Sequence, residues 1–161
     1  KRGLAHQHQR VQLIAVLREG FEGPQQRWSY FTDGGPEAGC FGMLDRLSAE
    51  EASKPSGPNG TTVAAHVHHM VFSLSASTDF IMDRWEGRDW SESWKVSAVD
   101  EREWAELQDA LRDAGARLLE NLATRQRWNE GMSMQGALAS YGHTAYHVGA
   151  VRQLRKRLLA G

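Results

Sequence analysis

A chain of 161 residues with 24% charged and 40% hydrophobic residues has the size and balance of one ordinary globular domain. Its formal net charge of -1 gives no reason to expect a polyanionic partner, so nucleic-acid binding is not expected. No apolar run approaches the roughly 18 residues of a membrane span, and the N-terminus contains no apolar signal core. We therefore expect a single domain, residues 1–161, that is cytoplasmic and has no membrane partner.

The first segment with helical periodicity lies near the N-terminus. Four apolar residues repeat there at intervals of three or four: Val11, Ile14, Leu17 and Phe21. The turn residues Gly23 and Pro24 follow them. The pattern predicts a first helix over residues 4–21.

Residues 25–60 are rich in turn residues and predict a long connection after this helix. Within it, Pro36 can begin a short helix that reaches Leu47. Ser48 and Glu51 have the spacing of a capping box, in which each side chain bonds the other residue's backbone N–H. The connection is therefore predicted to be partly helical.

The second long helix is predicted to run from Val63 to about Trp85. Thr61 or Thr62 can cap its start, and Gly87 can end it. Apolar residues cover much of its circumference, which favours a position between two neighbouring helices. Its first turns carry three histidines: His66, His68 and His69.

Two more long helices complete the chain. Asp100 with Glu103 predicts the start of a third helix, and a fourth is predicted from Ser133 to about Leu159. No segment shows the alternation of apolar and polar residues that is typical of a strand. The predicted fold class is all-α: a four-helix bundle with a long, partly helical connection between helices one and two.

The fourth predicted helix carries the strongest chemical signal. His143 and His147 are four residues apart, so both imidazoles lie on one side of a helix and can reach one point. This is a metal-ligand spacing, although two packed and hydrogen-bonded histidines give the same pattern. Gly142 and Gly149 flank the pair, and we interpret them as allowing close packing against another helix.

A third imidazole can come from the second helix. His66 and His69 lie within about 60° of each other on a helix of 3.6 residues per turn, whereas His68 falls away from their shared face. Helix bundles build metal sites from side chains on facing helices. The predicted metal ligands are therefore His143, His147 and either His69 or His66. Three neutral imidazoles leave coordination positions open, as in a catalytic site.

The two histidine segments also carry a resemblance to a known family. Residues 143–155 contain two histidines, an aromatic residue before the second and a glycine after it. Residues 62–70 contain three more histidines. In their order and spacing they resemble the DinB/YfiT-like superfamily of four-helix-bundle proteins, which are regarded as metalloenzymes. Residues 21–24 and 89–94 are similar to one subgroup of small bacterial members. The resemblance covers most of the chain.

The resemblance implies a divalent metal ion held by both helix-four histidines and one helix-two histidine. His69 fits the family pattern better than His66, because the apolar residue after it and Phe72 match, and His68 fits least. Some members of the superfamily are thiol S-transferases that activate a low-molecular-weight bacterial thiol on the metal. The implied function is a metal-dependent thiol S-transferase or hydrolase that acts on an electrophilic small molecule.

Zinc suits imidazole together with a thiolate and is the expected metal, with nickel, iron or manganese as alternatives. No catalytic residue can be assigned; Tyr146 and Asp83 are candidates for groups that orient the ligands. The competing hypothesis is a non-catalytic, stress-related metal-binding bundle. It would act as a homodimer, with apolar residues such as Phe41, Trp90 and Trp94 at the interface.

Overall fold

The computed structural model describes residues 2–32, 34–35, 37–125 and 133–159, with side chains from residue 8 to residue 158 within those ranges. No strand occurs in this part of the chain, so the all-α class is confirmed for it. The long helices are α1 (Arg2–Glu22), α4 (Val63–Ile81), α5 (Glu101–Thr124) and α6 (Ser133–Leu159). Short helices lie between them: α2 (Cys40–Leu44), α3 (Ala49–Ala52) and a 3-10 helix (Trp90–Trp94).

The connection after α1 is fastened to that helix by Glu19, a buried carboxylate. It accepts hydrogen bonds from the backbone N–H groups of Tyr30, Phe31 and Thr32 at 2.8, 3.1 and 3.2 Å, and from the Thr32 hydroxyl at 3.0 Å. Burial alone would raise the pKa of Glu19, but these bonds to the charged form outweigh it and lower the pKa. Phe31 then packs its ring against Tyr141 of α6, with 5.8 Å between ring centroids.

The short helix expected from Pro36 to Leu47 was predicted too long. Pro36 lies outside the described residues, and α2 begins only at Cys40 and ends at Leu44. The backbone is extended at Gly39, where a Cβ would lie 2.2 Å from the backbone nitrogen of Gly23. This close crossing of two backbones keeps Gly39 out of the helix, and it depends on a contact distant in sequence.

Three helix starts lie where capping residues predict them. Of the two candidate threonines, Thr62 caps α4 by accepting the Ala65 N–H at 3.0 Å. Asp100 and Glu103 form a reciprocal capping box at the start of α5. The predicted capping box of Ser48 is also confirmed, at the start of α3.

The prediction that α4 extends to Trp85 and ends at Gly87 was wrong, because the helix ends at Ile81. Asp83 has a φ of 56°, in the left-handed region that aspartate tolerates better than most residues. The N–H of Arg84 bonds back to the Asp79 carbonyl at 2.8 Å, which closes the helix end. The chain after Asp83 therefore leaves the helix axis and leads to the 3-10 helix.

Packing between helices fixes the position of the histidines. α4 packs against both α5 and α6, which confirms the expectation that it lies between two neighbours, and α1 packs against the same two helices. None of the described helices is both long enough and apolar enough to cross a membrane. Fully buried side chains from all four long helices fill the interior, among them Leu17, Phe21, Val63, Val67, Met70, Ile81, Leu111, Leu118, Leu122 and Val151.

Candidate metal centre

Three imidazole nitrogens meet between α4 and α6. The Nε2 atom of His143 lies 3.1 Å from Nε2 of His69 and 3.1 Å from Nε2 of His147. A ligand atom from each of these histidines lies within 4.8 Å of the others. His69 and His147 are buried and His143 is half-buried, so the group is set into the surface.

The separations between these nitrogens suit one shared cation. With metal–nitrogen bonds of about 2.0–2.1 Å, neighbouring ligands are about 2.9 Å apart at a right angle and about 3.3 Å apart at the tetrahedral angle. Both Nε2 separations of 3.1 Å fall within this interval. The third separation, between the His69 and His147 ligand atoms, is within 4.8 Å. The group could therefore hold a metal ion.

Serine hydroxyls bond the outer nitrogens of two of these rings. Nδ1 of His69 lies 2.9 Å from Oγ of Ser93, and Nδ1 of His143 lies 3.2 Å from Oγ of Ser73. Each hydroxyl donates its own proton to the backbone carbonyl three residues earlier, at 2.7 Å for Ser93 and 3.1 Å for Ser73. Each serine must then accept from the imidazole. Nδ1 therefore carries the proton, and the Nε2 lone pair faces the centre.

His66 lies behind the cluster rather than in it. Its Nδ1 is 2.9 Å from Nδ1 of His147, and its side chain is buried. When Nδ1 of His147 carries the proton and donates it to Nδ1 of His66, Nε2 of His147 has a free lone pair. That lone pair faces the Nε2 atoms of His69 and His143. The Nε2 atom of His143 then lies 3.1 Å from those of His69 and His147, and their lone pairs repel one another unless a cation lies between them. Of the two helix-two candidates, His69 thus lies at the centre and His66 supports His147.

All four of these histidines are held in the neutral form. Burial lowers the pKa of His66 and of His143. Burial and the neighbouring imidazoles lower the pKa of His69 to about 4 and that of His147 to about 3. Neutral imidazole is the form that a metal requires, so near pH 7 no proton competes strongly for these nitrogens.

The 3-10 helix covers one side of the centre. The Trp94 ring stacks on the His69 ring, with 4.2 Å between centroids and 18° between planes. His68 donates from Nδ1 to the backbone carbonyl of Ser93 at 2.9 Å. The histidine expected to fall away from the shared face therefore fastens the covering segment.

Sequence reasoning did not find the supporting serines. Ser73 lies one turn after His69 on α4, but its role depends on how α4 and α6 pack against each other. The sequence around Ser93 indicates only a local turn, in which Asp89 caps the 3-10 helix. Neither pattern predicts contact with a histidine from a distant segment.

The two residues suggested as orienting groups have different surroundings. The Tyr146 ring lies 4.9 Å from the His147 ring, edge to face, and its side chain is largely exposed. Asp83 lies beyond the end of α4 and pairs with Arg125 at 2.8 Å. Only Tyr146 therefore lies beside a cluster histidine.

The candidate metal centre thus consists of three residues on two helices, with a hydrogen bond to the outer nitrogen of each. His69 comes from α4, and His143 and His147 come from α6. No protein-family model matches this chain, and no curated protein or solved structure matches it.

Proposed function

We propose that the chain is a metal-dependent enzyme in which His69, His143 and His147 bind one divalent cation. The observation that carries this proposal is the meeting of three Nε2 atoms, each backed by a hydrogen bond to its outer nitrogen. Imidazole ligands favour zinc, with nickel, iron or manganese as alternatives. A cation held by three protein ligands keeps a position open, and when bound it lowers the pKa of a thiol or water there to near neutrality.

The reaction we propose is attack by the sulfur of a low-molecular-weight thiol on an electrophilic small molecule. The thiol loses its proton, a carbon–sulfur bond forms, and the leaving group of the electrophile departs. The related reaction is hydrolysis, in which water attacks instead of the thiol. The half-buried position of His143 supports it, because a ligand at the surface leaves a path for small reactants. Trp94 would keep water from one face of His69, since the two rings are stacked. Ser73 and Ser93 would hold the ligand rings in the required tautomer.

The proposed architecture is a DinB-like four-helix bundle. The order of the histidine segments in the sequence supports this assignment, as does the packing of α1 and α4 each against α5 and α6. Metal sites on facing helices are common in such bundles. The long connection between the first two long helices would contain α2 and α3.

A non-catalytic homodimer that binds metal is the second candidate function. It is favoured by the exposure of Trp90 and Trp94, at 45% and 44%, since large exposed apolar side chains often mark an interface. Phe41 does not add to such an interface, because its ring stacks on Phe21 at 5.6 Å and is covered by the Arg112 guanidinium at 4.6 Å.

Turnover distinguishes the two candidates. Zinc-loaded protein would be mixed with 1-chloro-2,4-dinitrobenzene and each of several small thiols, and separately with an activated ester. We expect a metal-dependent rate that His143→Ala lowers at least a hundredfold. His8→Ala, which removes an exposed histidine of α1, should leave the rate unchanged. Bound metal without metal-dependent turnover of any thiol or ester would favour the non-catalytic dimer.

A further inference from the structure

A cavity of about 470 Å³ lies beside the metal centre, between the C-terminal half of α4 and the first turns of α6. Three aromatic residues line it, Phe80, Trp85 and Trp90, together with small residues such as Ala139. Pockets for small molecules have volumes of about 300–1,000 Å³. The cavity is therefore large enough for a ligand of one or two rings.

The cavity adjoins the proposed ligands on two sides. Ala139 lies one helical turn before His143 on α6, a rise of about 6 Å. Trp90 lines the cavity and also contacts His69, with 6.4 Å between ring centroids. A molecule in the cavity would therefore point one end toward His143.

The walls of the cavity are held in place by specific contacts. Trp85 packs edge to face on Phe80 at 6.2 Å, and Trp90 packs in the same way on Phe72 at 5.2 Å. The Asp79 carboxylate accepts a hydrogen bond from Arg88, which fastens the segment between the two tryptophans to α4. The tryptophan walls are thus set by the fold, although each side chain is 45% exposed.

The chemistry of the lining selects for neutral ligands. No charged residue lines the cavity in the described part of the chain, and Ser77 and Gln135 supply its polar side chains. A charged ligand would lose hydration without gaining an ionic partner. Aromatic rings, by contrast, gain stacked or edge-to-face contacts with the walls.

We propose that this cavity binds the neutral aromatic part of a small-molecule substrate and directs its remaining part toward His143. The second half of this statement rests on the proposed metal-dependent function. The first half, binding of a neutral aromatic molecule, is independent of that function, because none of the proposed metal ligands lines the cavity.

Fluorescence of N-phenyl-1-naphthylamine, a neutral probe, tests the binding. We expect saturable binding of one molecule per chain to the metal-free full chain. Ala139→Phe should weaken it at least tenfold by filling the cavity, whereas Leu138→Phe adds the same ring at an exposed neighbouring position and should leave it within twofold. The related anionic probe 1-anilinonaphthalene-8-sulfonate should bind at least tenfold more weakly.

Any of three results would overturn the proposal. The neutral probe would not bind saturably, both phenylalanine variants would lose the same amount of probe affinity, or the anionic probe would bind more tightly than the neutral one. Trp85→Leu gives a second test should Ala139→Phe not fold, and it should also weaken binding. Sedimentation adds another outcome. A dimer that Ala139→Phe separates, with no probe binding, would assign this face to a second copy of the chain and overturn the proposal.

The link to the metal centre has its own readout. In His147→Ala, which removes a ligand distant from the cavity lining, the neutral probe should bind within twofold even though metal is lost. This variant therefore tests metal binding and probe binding separately, so either claim can be wrong without the other. In wild type, the concentration of 2-naphthalenethiol that displaces half of the probe should be at least tenfold lower with zinc than without zinc. Equal displacement would overturn the proposed orientation toward His143.

Discussion

Hydrogen bonds to the outer nitrogens decide what each histidine presents to the centre. Because the Ser93 and Ser73 hydroxyls donate to backbone carbonyls, they accept from His69 and His143 and fix the proton on Nδ1. Partners of this kind orient a metal ligand and raise its basicity. The two serines therefore set the tautomers of His69 and His143.

Removing either hydroxyl should weaken metal binding without abolishing it. We expect Ser93→Ala and Ser73→Ala each to lower zinc affinity by about 10–100-fold. Competition with a chromophoric chelator measures the affinity. Ser91→Ala is the matched control, since its hydroxyl donates to Asp89 rather than bonding a histidine. Unchanged affinity in both test variants would show that the serines do not orient the ligands.

Two helix glycines that flank the histidine pair do not have the role expected of them. A Cβ at Gly142 or at Gly149 would meet nothing within 4 Å, so neither residue permits close packing. The close approach occurs earlier in α6, at Gly136, where a Cβ would lie 2.7 Å from Cδ1 of Phe80 and 3.2 Å from Cγ1 of Ile81. Gly136 is therefore the glycine that lets α6 approach α4.

Alanine substitutions at two of these glycines should have opposite effects. Gly136→Ala should lower the free energy of unfolding by about 1–2 kcal/mol, because Phe80 must move. Gly149→Ala should raise it by up to about 1 kcal/mol, because alanine favours the helix and has room. Urea unfolding followed by circular dichroism measures both. A gain in stability at Gly136 would contradict the packing described for α4 and α6.

Glu19 controls the attachment of the first connection to α1, and its effect should depend on pH. Glu19→Gln should lower the free energy of unfolding at pH 7 by about 2 kcal/mol, since bonds to a charged acceptor are lost. The folded chain lowers the pKa of Glu19. Its stabilisation is therefore complete above the unfolded pKa of about 4.3 and declines as the pH falls through the folded value.

Urea unfolding of wild type and Glu19→Gln at pH 7 and pH 3 measures this dependence. The difference between the two proteins should shrink at the lower pH. Glu22→Gln, on the same helix but in an exposed pair with Arg18, should change stability little at either pH. A difference for Glu19→Gln that stayed equal at both pH values would contradict a charged, hydrogen-bonded carboxylate.

At the scale of the whole molecule, local signals predicted the helices well. Apolar periodicity and the caps at Thr62 and Asp100 placed the long helices, because both depend on neighbouring residues. Helix boundaries were predicted wrongly where they depend on an unusual backbone conformation or on a contact with residues distant in sequence. The left-handed conformation of Asp83 ended α4 early, and the crossing of Gly39 over Gly23 delayed α2.

For the candidate metal centre, too, the sequence predicted what depends on one helix and not what depends on the packing of two helices. The spacing of His143 and His147 predicted that they share a face, since that depends on one helix. Whether His66 or His69 joins them depends on how α4 and α6 are aligned, which spacing within one helix does not determine. The alignment brings Nε2 of His69 to 3.1 Å from His143 and leaves His66 bonded to His147.

Metal content per chain tests most directly whether these histidines bind a cation. Purified protein would be loaded with zinc, freed of excess metal by gel filtration and analysed. Wild type and His8→Ala should retain about one zinc per chain. His69→Ala, His143→Ala and His147→Ala should each retain less than about a tenth, while His66→Ala should bind zinc about 10–100-fold more weakly. Equal metal in wild type and in the three ligand variants would contradict the proposed site.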